Sequence, residues 1–436
     1  MKSKICQSFF RYGLPILLWS WAALCPFTVE AAQKMEKVSI AYSSLSGNMA
    51  PLWAAYEGGF FRKYGLDVQM VFISSGSRVV QAMMSGDVPI AQVAGASVLQ
   101  SNLQGGDAVM IAGVVNTLIF QLYVDKKITQ PEQLKGKVVA VSRFGSSTDF
   151  AMRYALDKYG LAPEKDVTIL QLETQPAMLT ALQAGKIQGA MLSSPTNLRA
   201  KKLGLRMLAD LQMLGLEYQH TGLATTRSLI KSRPELVRNI MMAYVEGIHY
   251  YKTHRKEALA ILGKYLKTED AEILTDTYES IGLTLIPEKP YPTLRGIQIM
   301  LRELTAKEPK AQSAKPEQFV DLTFVKELDA SGFIDKLYQQ APVVAKRAEP
   351  QPAPAAVKEK GKAEPAKLAA KKAAPAAAQP KAREHTVQSG DTLSRLATRF
   401  YGAPEKWQKI YEANRGKLKN PNSLYVGQKI TIPPAD

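Results

Sequence analysis

Val38-Ser-Ile-Ala-Tyr42, the segment Pro51 to Tyr64, and Leu66-Asp-Val-Gln-Met-Val-Phe-Ile73 form the stretch on which the fold turns. The β-rich run at 38–42 predicts a strand. Pro51 suits the first turn of a helix because its φ is already helical, and Gly65 stops that helix before a second strand at 66–73. Strand, helix and strand in this order make a right-handed unit with parallel strands. The polar loop Ser43 to Asn48 follows the carboxyl end of the first strand, where open α/β sheets hold their ligands.

Working outward, the alternation continues. Helices are predicted at 77–85 and 96–104 and strands at 88–93 and 109–115. A turn at Thr129-Gln-Pro-Glu-Gln-Leu134 opens a second set, with strands at 137–142, 167–172, 189–193 and 205–211 and helices at 148–159 and 177–184. After 220–227 the 3.6-residue period dominates, predicting helices at 234–252, 255–266, 271–281, 294–306 and 319–333. The expectation is two α/β lobes, each with a mainly parallel sheet, and a helical return.

Both ends of the chain read differently. Lys2, Lys4 and Arg11 precede an uncharged run from Tyr12 to Val29 and the small residues around Ala31, so residues 1–31 read as a secretory signal peptide, cleaved before Ala32. Pro15, Ser20 and Pro26 weaken the competing reading of a retained membrane anchor, and the mature chain is expected to carry no transmembrane segment. Cys6 and Cys25 both lie in this leader, which leaves the mature chain without disulfide or thiolate chemistry. Ala, Pro and Lys supply 31 of the 43 residues from 341 to 383, so this stretch reads as a disordered linker.

With 56 Lys+Arg against 39 Asp+Glu the chain carries +17, and the location of that charge decides its meaning. The linker holds +7, the leader +2 and the segment from Glu384 onward +3, leaving +5 on residues 32–340. That is too dilute for a phosphate-binding stripe, so no nucleic acid partner is expected. The four histidines, His220, His249, His254 and His385, are too scattered for a zinc site, and neither metal nor cofactor is expected. His249 and His254 read as surface helix residues, and Phe60-Phe61 as core.

Glu57-Gly-Gly-Phe-Phe-Arg-Lys-Tyr-Gly-Leu66, Met83-Met-Ser-Gly-Asp-Val88 and Leu134-Lys-Gly-Lys-Val-Val-Ala-Val141, running into Ser142-Arg-Phe-Gly-Ser-Ser-Thr148, make residues 36–338 resemble the periplasmic solute-binding proteins of ABC importers. The resemblance is to the group serving nitrate, taurine, sulfonates and thiamine-precursor pyrimidines. It implies an α/β, two-lobed type II clamp over residues 32–340, with lobe 1 at about 36–120 and 222–338 and lobe 2 at about 121–221. It also implies hinges near Leu118 to Val124 and Gly222 to Thr225, a small-molecule solute and an ABC permease partner.

The loops at the carboxyl ends of the strands then nominate Ser44, Asn48, Ser75, Gly76, Ser77 and Gly95 from one lobe, with Arg143, Gly145, Ser146, Ser147 and Ser194 from the other. Small hydroxylated residues at helix starts let backbone N–H groups meet an anionic solute. The plainer reading of Ser147 and Thr148 is helix capping, and that of Ser74 to Ser77 an ordinary turn. Arg78 and Arg143 could grip an anion in bidentate fashion or simply stand in solvent.

From Glu384 onward, His385-Thr-Val-Gln-Ser-Gly-Asp-Thr-Leu393, Ile410-Tyr-Glu-Ala-Asn414 and Val426-Gly-Gln-Lys-Ile-Thr-Ile-Pro433 resemble a LysM domain of βααβ fold over residues 384–436. Leu393, Leu396, Trp407, Ile410 and Ile430 would make its core. The resemblance implies peptidoglycan as a partner, with Gly390, Asp391, Thr392, Asn422 and Leu424 in the glycan groove. The chain thus reads as an exported, wall-tethered importer receptor of the periplasm or cell envelope, and not an enzyme. An envelope sensor or scaffold without a transporter is the alternative. A wall-modifying or pyrimidine-precursor enzyme fits less well, since no paired acids, Cys-His pair or zinc spacing stands out.

Overall fold

The computed structural model describes residues 35–214, 216–305, 308–340, 382–387, 393–401, 406–418, 424 and 428–434. The expected signal peptide, and the linker apart from its last two residues, lie outside the described residues. Strands β1 (Glu36–Tyr42), β2 (Leu66–Phe72), β3 (Ile90–Ala94), β4 (Ala108–Met110) and β5 (Val115–Thr117) build the first sheet. Strands β6 (Gln121–Val124), β7 (Val138–Val141), β8 (Thr168–Gln171), β9 (Gly189–Leu192) and β10 (Arg206–Asp210) build the second. The chain then returns to the first sheet through β11 (Glu217–Thr226), inserted between β3 and β4.

The opening stretch folds as its pattern predicts: β1 and β2 pair in parallel, with Val38 opposite Val68 and Ile40 opposite Met70. The single helix expected at 51–64 is two, Ala50–Glu57 and Phe60–Lys63, because Gly59 turns into the left-handed region at φ +73°. The strand expected at 109–115 is likewise divided into β4 and β5. The expected helix at 319–333 is a 3₁₀ turn at Pro316–Phe319 followed by helices Thr323–Ala330 and Phe333–Gln340.

Both sheets are mixed where mainly parallel ones were expected. β1 runs parallel to β2 and β3, and β7 parallel to β8 and β9, but β11 runs antiparallel to β3, β4 and β5, and β6 antiparallel to β9 and β10. The antiparallel members are the strands that follow the passages between sheets, since a chain crossing from one sheet to the other enters it against the direction of the βαβ units. β11 is already paired with β5 at Glu217, so the second passage lies before Gly222 to Thr225. Gly222 itself is packed inside the sheet, where a Cβ would fall 1.8 Å from the carbonyl oxygen of Ala112.

The helical return covers the first sheet. Helix Pro234–Thr253 packs on Ala50–Glu57 through Gly247, whose missing Cβ would lie 2.6 Å from that of Ala55. Leu52, Trp53, Tyr244 and Tyr251 are fully buried there, and a wholly apolar side chain such as that of Leu52 contributes about 2 kcal/mol of transfer free energy. Phe61 joins this core as expected, while His249 is half-buried with its ring edge-on to Tyr338, not a surface residue. His254 is exposed and stacks on Tyr250.

The C-terminal module pairs β12 (Arg383–Thr386) antiparallel with β13 (Lys429–Ile432), so its first strand begins earlier than the expected Thr386-Val387. Helices Leu393–Tyr401 and Trp407–Ala413 lie between them. Leu393, Leu396, Ile410 and Ile430 are buried together and Trp407 packs against them. Among the described residues no helix is long and apolar enough to cross a membrane.

Candidate functional site

The carboxyl ends of β1, β2, β3, β7, β8 and β9 converge on one cavity of about 50 Å³ between the two sheets. A buried water occupies roughly 10–15 Å³ on this measure, so the space suits a solute of a few heavy atoms. Ten hydroxyl side chains line it: Ser43, Ser44, Ser75, Ser142, Ser146, Ser147, Thr148, Thr174, Ser193 and Thr221. Among the described residues the lining contains no lysine or arginine, and Glu173 is its one carboxylate.

Of the eleven nominated solute residues, Ser44, Asn48, Ser75, Gly76, Ser146 and Ser147 line the cavity. The other five stand around it. Ser77 reaches back to Ser75, with 3.2 Å between their hydroxyls. Gly95 is packed against β11, where a Cβ would fall 2.6 Å from the Gln219 carbonyl oxygen. Arg143 pairs with Glu173 at 2.8 Å. Gly145, at φ +75°, offers its carbonyl to the Ser97 hydroxyl at 3.2 Å. Ser194 is committed to Thr277, with 2.6 Å between the two oxygens. Of the glycan-groove residues, Gly390, Asp391, Thr392 and Asn422 lie outside the described residues, and Leu424 packs against the module core.

The start of helix Ser147–Lys158 shows how the sequence builds this wall. Ser146 is its N-cap and accepts the Asp149 N–H at 3.4 Å, so the cap falls on Ser146 and not on Ser147 or Thr148, the residues expected to cap. The hydroxyls of Ser142, Ser146 and Thr148 close a triangle with sides of 2.8 to 2.9 Å. Capping and lining the cavity are therefore properties of the same residue. Across the cleft Ser75 sits at φ +71°, and Glu173 sits at φ +61°. Of the four non-glycine residues in the left-handed region among the described residues these two line the cavity, and strain held at such a place points to use.

His220 and Thr221 come from β11, which the carboxyl-end rule does not reach because that strand runs the other way. Asn48 donates to the Thr221 hydroxyl at 2.6 Å, and Thr221 in turn faces His220 Nδ1. His220 Nε2 is buried and has no partner among the described residues. Burial holds the His220 pKa down at about 3, so the imidazole is neutral. Glu173, Thr174 and Gln175 follow β8. The same rule would have found them had it been applied to that strand.

Two seams bridge the lobes. At one, the Ser46 hydroxyl donates to the Ser194 carbonyl at 2.7 Å, the Gly47 N–H donates to it at 3.3 Å, and Ser194 meets Thr277. At the other, Ser74 donates to Glu173 Oε2 at 3.0 Å, while Arg78 and Arg143 approach Oε1 at 3.2 and 2.8 Å. Burial raises the Glu173 pKa, but the bonds from Ser74 and Arg143 and the charge of Arg78 outweigh it and leave it lowered. Lys202 adds pairs with Asp270 and Glu272 at the outer lip. The described residues contain no group of three or more His, Cys, Asp or Glu that could hold a metal ion.

Residues 46–258 match the family model described as NMT1/THI5 like, and residues 385–433 match the LysM domain. The chain is 31% identical over 180 residues to the taurine-binding periplasmic protein of Escherichia coli K12, covering 41% of this chain and 54% of that protein. It is 47% identical over 49 residues to the potassium binding protein Kbp of Escherichia coli O6:H1, covering 11% of this chain and 33% of that protein. The chain thus spans about half of the first relative and a third of the second. The periplasmic aliphatic sulphonate binding protein SsuA of Escherichia coli shares the fold, with a TM-score of 0.53 at 17% identity over 66% of this chain and 92% of that one.

Proposed function

On the premise that the chain carries an NMT1/THI5-like periplasmic-binding domain followed by a LysM domain, we propose that it is the exported solute-binding receptor of an ABC importer, capturing a small anionic solute and held to peptidoglycan by its C-terminal module. The observation that carries the solute reading is the hydroxyl-lined cavity between the lobes. Hydroxyls and helix-start N–H groups are donors that favour negative charge without neutralising it. The relatives named for taurine and aliphatic sulphonate share a sulfonate head, and a cavity of about 50 Å³ admits a group of that size.

In this reading the solute enters between open lobes and is closed in by the two seams, whose bonds form only when the lobes meet. Ser44, Asn48, Ser75, Gly76, Ser146 and Ser147 hold it, joined by Thr148, His220 and Thr221. Ser194 and Gly145 serve closure, Gly95 serves packing, and Arg143 acts through Glu173. No bond-making step is proposed. The wall is held by Gly390, Asp391, Thr392, Asn422 and Leu424, and the location is the periplasm or cell envelope.

A thermal-shift series on the full mature chain tests the solute class, with nitrate, ethanesulfonate, taurine, small carboxylates and pyrimidines as probes. A ligand at 100 times its Kd adds about 2.7 kcal/mol to stability, which is a shift of several degrees. The expected result is a rise with a small anion. A rise with a neutral pyrimidine and none with any anion would overturn the reading.

A further inference from the structure

The cavity's charge is set by three side chains, of which only one touches its interior. Arg78 comes from the first lobe, Arg143 and Glu173 from the second, and all three meet at the Glu173 carboxylate. Two guanidiniums against one carboxylate leave a single unit of positive charge beside the cavity. The lining adds none: His220 is neutral and the other polar groups are hydroxyls and amides.

The placement of Glu173 is specific. Its backbone is held at φ +61° by an N–H bond to the Ser142 carbonyl at 2.9 Å, directly before the helix Gln175–Gln183. Its carboxylate accepts Ser74 on one oxygen and the two arginines on the other. Those bonds hold the two guanidiniums on the carboxylate, and neither arginine lines the cavity.

We infer that Glu173 is a specificity-determining residue that matches the closed cavity to solutes carrying one negative charge and excludes those carrying two. This rests on the proposed reading of the cavity as an anion site. A monoanion brings the cluster of Arg78, Arg143 and Glu173 to neutrality. A dianion leaves one negative charge in excess, beside a carboxylate that cannot withdraw because both of its oxygens are already engaged. The side chains of Arg78, Arg143 and Glu173 are themselves 47%, 32% and 39% exposed, so solvent attenuates their field, yet it still acts on a solute held in the cavity that Glu173 lines. Removing the carboxylate's charge turns the surplus from one to two and should invert the preference.

The test is titration calorimetry on the full mature chain, wild type and Glu173→Gln, with nitrate and ethanesulfonate as monoanions and sulfate as the dianion. Wild type is expected to bind at least one monoanion about tenfold or more tighter than sulfate, and the variant to reverse that order. A second variant, Arg78→Met, brings the cluster to zero and should weaken every anion by about tenfold while keeping the wild-type order. Circular dichroism confirms that each variant is folded.

If Glu173→Gln weakens monoanions and sulfate by the same factor, Glu173 is a closing contact alone and the inference is overturned. If wild type binds sulfate as tightly as the monoanions, it is also overturned, while the anion reading stands. If wild type binds no anion, the anion reading itself fails and takes the inference with it.

Discussion

Ser194→Ala perturbs closure without touching the cavity lining. Ser194 Oγ and Thr277 Oγ1 are 2.6 Å apart, and the two residues are 5% and 0% exposed. Ser194 follows β9 of the second sheet. Thr277 ends the helix Ala271–Thr277, which belongs to the return over the first, so the bond exists only while the lobes are together. Truncating one partner leaves the other hydroxyl buried without that bond, which costs about 1–2 kcal/mol in the closed form. In the open form water takes the vacated place and the cost nearly vanishes. Solute binding draws on the closed form, so affinity should fall by about 5- to 30-fold.

A second substitution makes the argument sharp. Thr277→Val alone should cost a similar amount, but Ser194→Ala combined with Thr277→Val replaces both polar groups by apolar ones and removes the unsatisfied hydroxyl. The double variant should therefore return to within about threefold of wild type, a coupling well beyond additivity. Titration calorimetry with whichever small anion the thermal series selects reads the affinities, and small-angle scattering reads the fraction of open chains. Single variants that bind like wild type, or a double variant as weak as the sum of the singles, would refute the claim that this seam supports closure.

Ser146→Asp puts a carboxylate at the start of helix Ser147–Lys158, inside the cavity wall, and should weaken a small anion by at least about tenfold in the same calorimetry. His220 gives an acid signature: its folded pKa of about 3 lies below the unfolded value, so protonation of the unfolded chain draws stability away as pH falls from about 6.5 toward 3. Urea unfolding at pH 7 and 4.5 should show His220→Gln losing about 2.5 kcal/mol less than wild type over that interval. A chain ending at Gln340 should keep its solute affinity and lose sedimentation with purified peptidoglycan, because a linker of this composition transmits little coupling.

The βαβ stretches were legible because period and punctuation agreed: Gly65, at φ +74°, stops the second of the paired helices where expected, and β1, β2, β7 and β9 fall within two residues of their predicted spans. What the pattern hid was the returning strand. Glu217 to Thr226 carries Glu217, Gln219, His220, Thr221, Thr225 and Thr226 among its ten residues, so it does not read as the continuous apolar run of a buried strand, and no strand is predicted there. The loops were found by the same rule that found the strands, so Ser44, Ser75 and Ser146 were accessible from sequence. Ser194 and Ser146 look alike there. Only the contact with Thr277, 83 residues away, separates a closing residue from a lining one.

The hydroxyl wall also explains how the cavity can close in the absence of a cation. Ser142, Ser146 and Thr148 satisfy one another, and Ser193 exchanges bonds with Gln175 at 2.6 to 3.2 Å. A hydroxyl is both donor and acceptor, so it can turn from a neighbour to a solute oxygen without stranding a polar group. A buried lysine has no such alternative and would need a counter-charge whenever the site was empty. For the anionic solute proposed above, affinity in this cavity would be the difference between hydroxyl–oxyanion and hydroxyl–hydroxyl bonds. Charge-assisted bonds are roughly twice as strong as neutral ones, so each donor that turns contributes a modest gain and several must turn together. A neutral isostere of that proposed anion would gain almost nothing from the same exchange, which would make charge, not shape, the property this wall reads first.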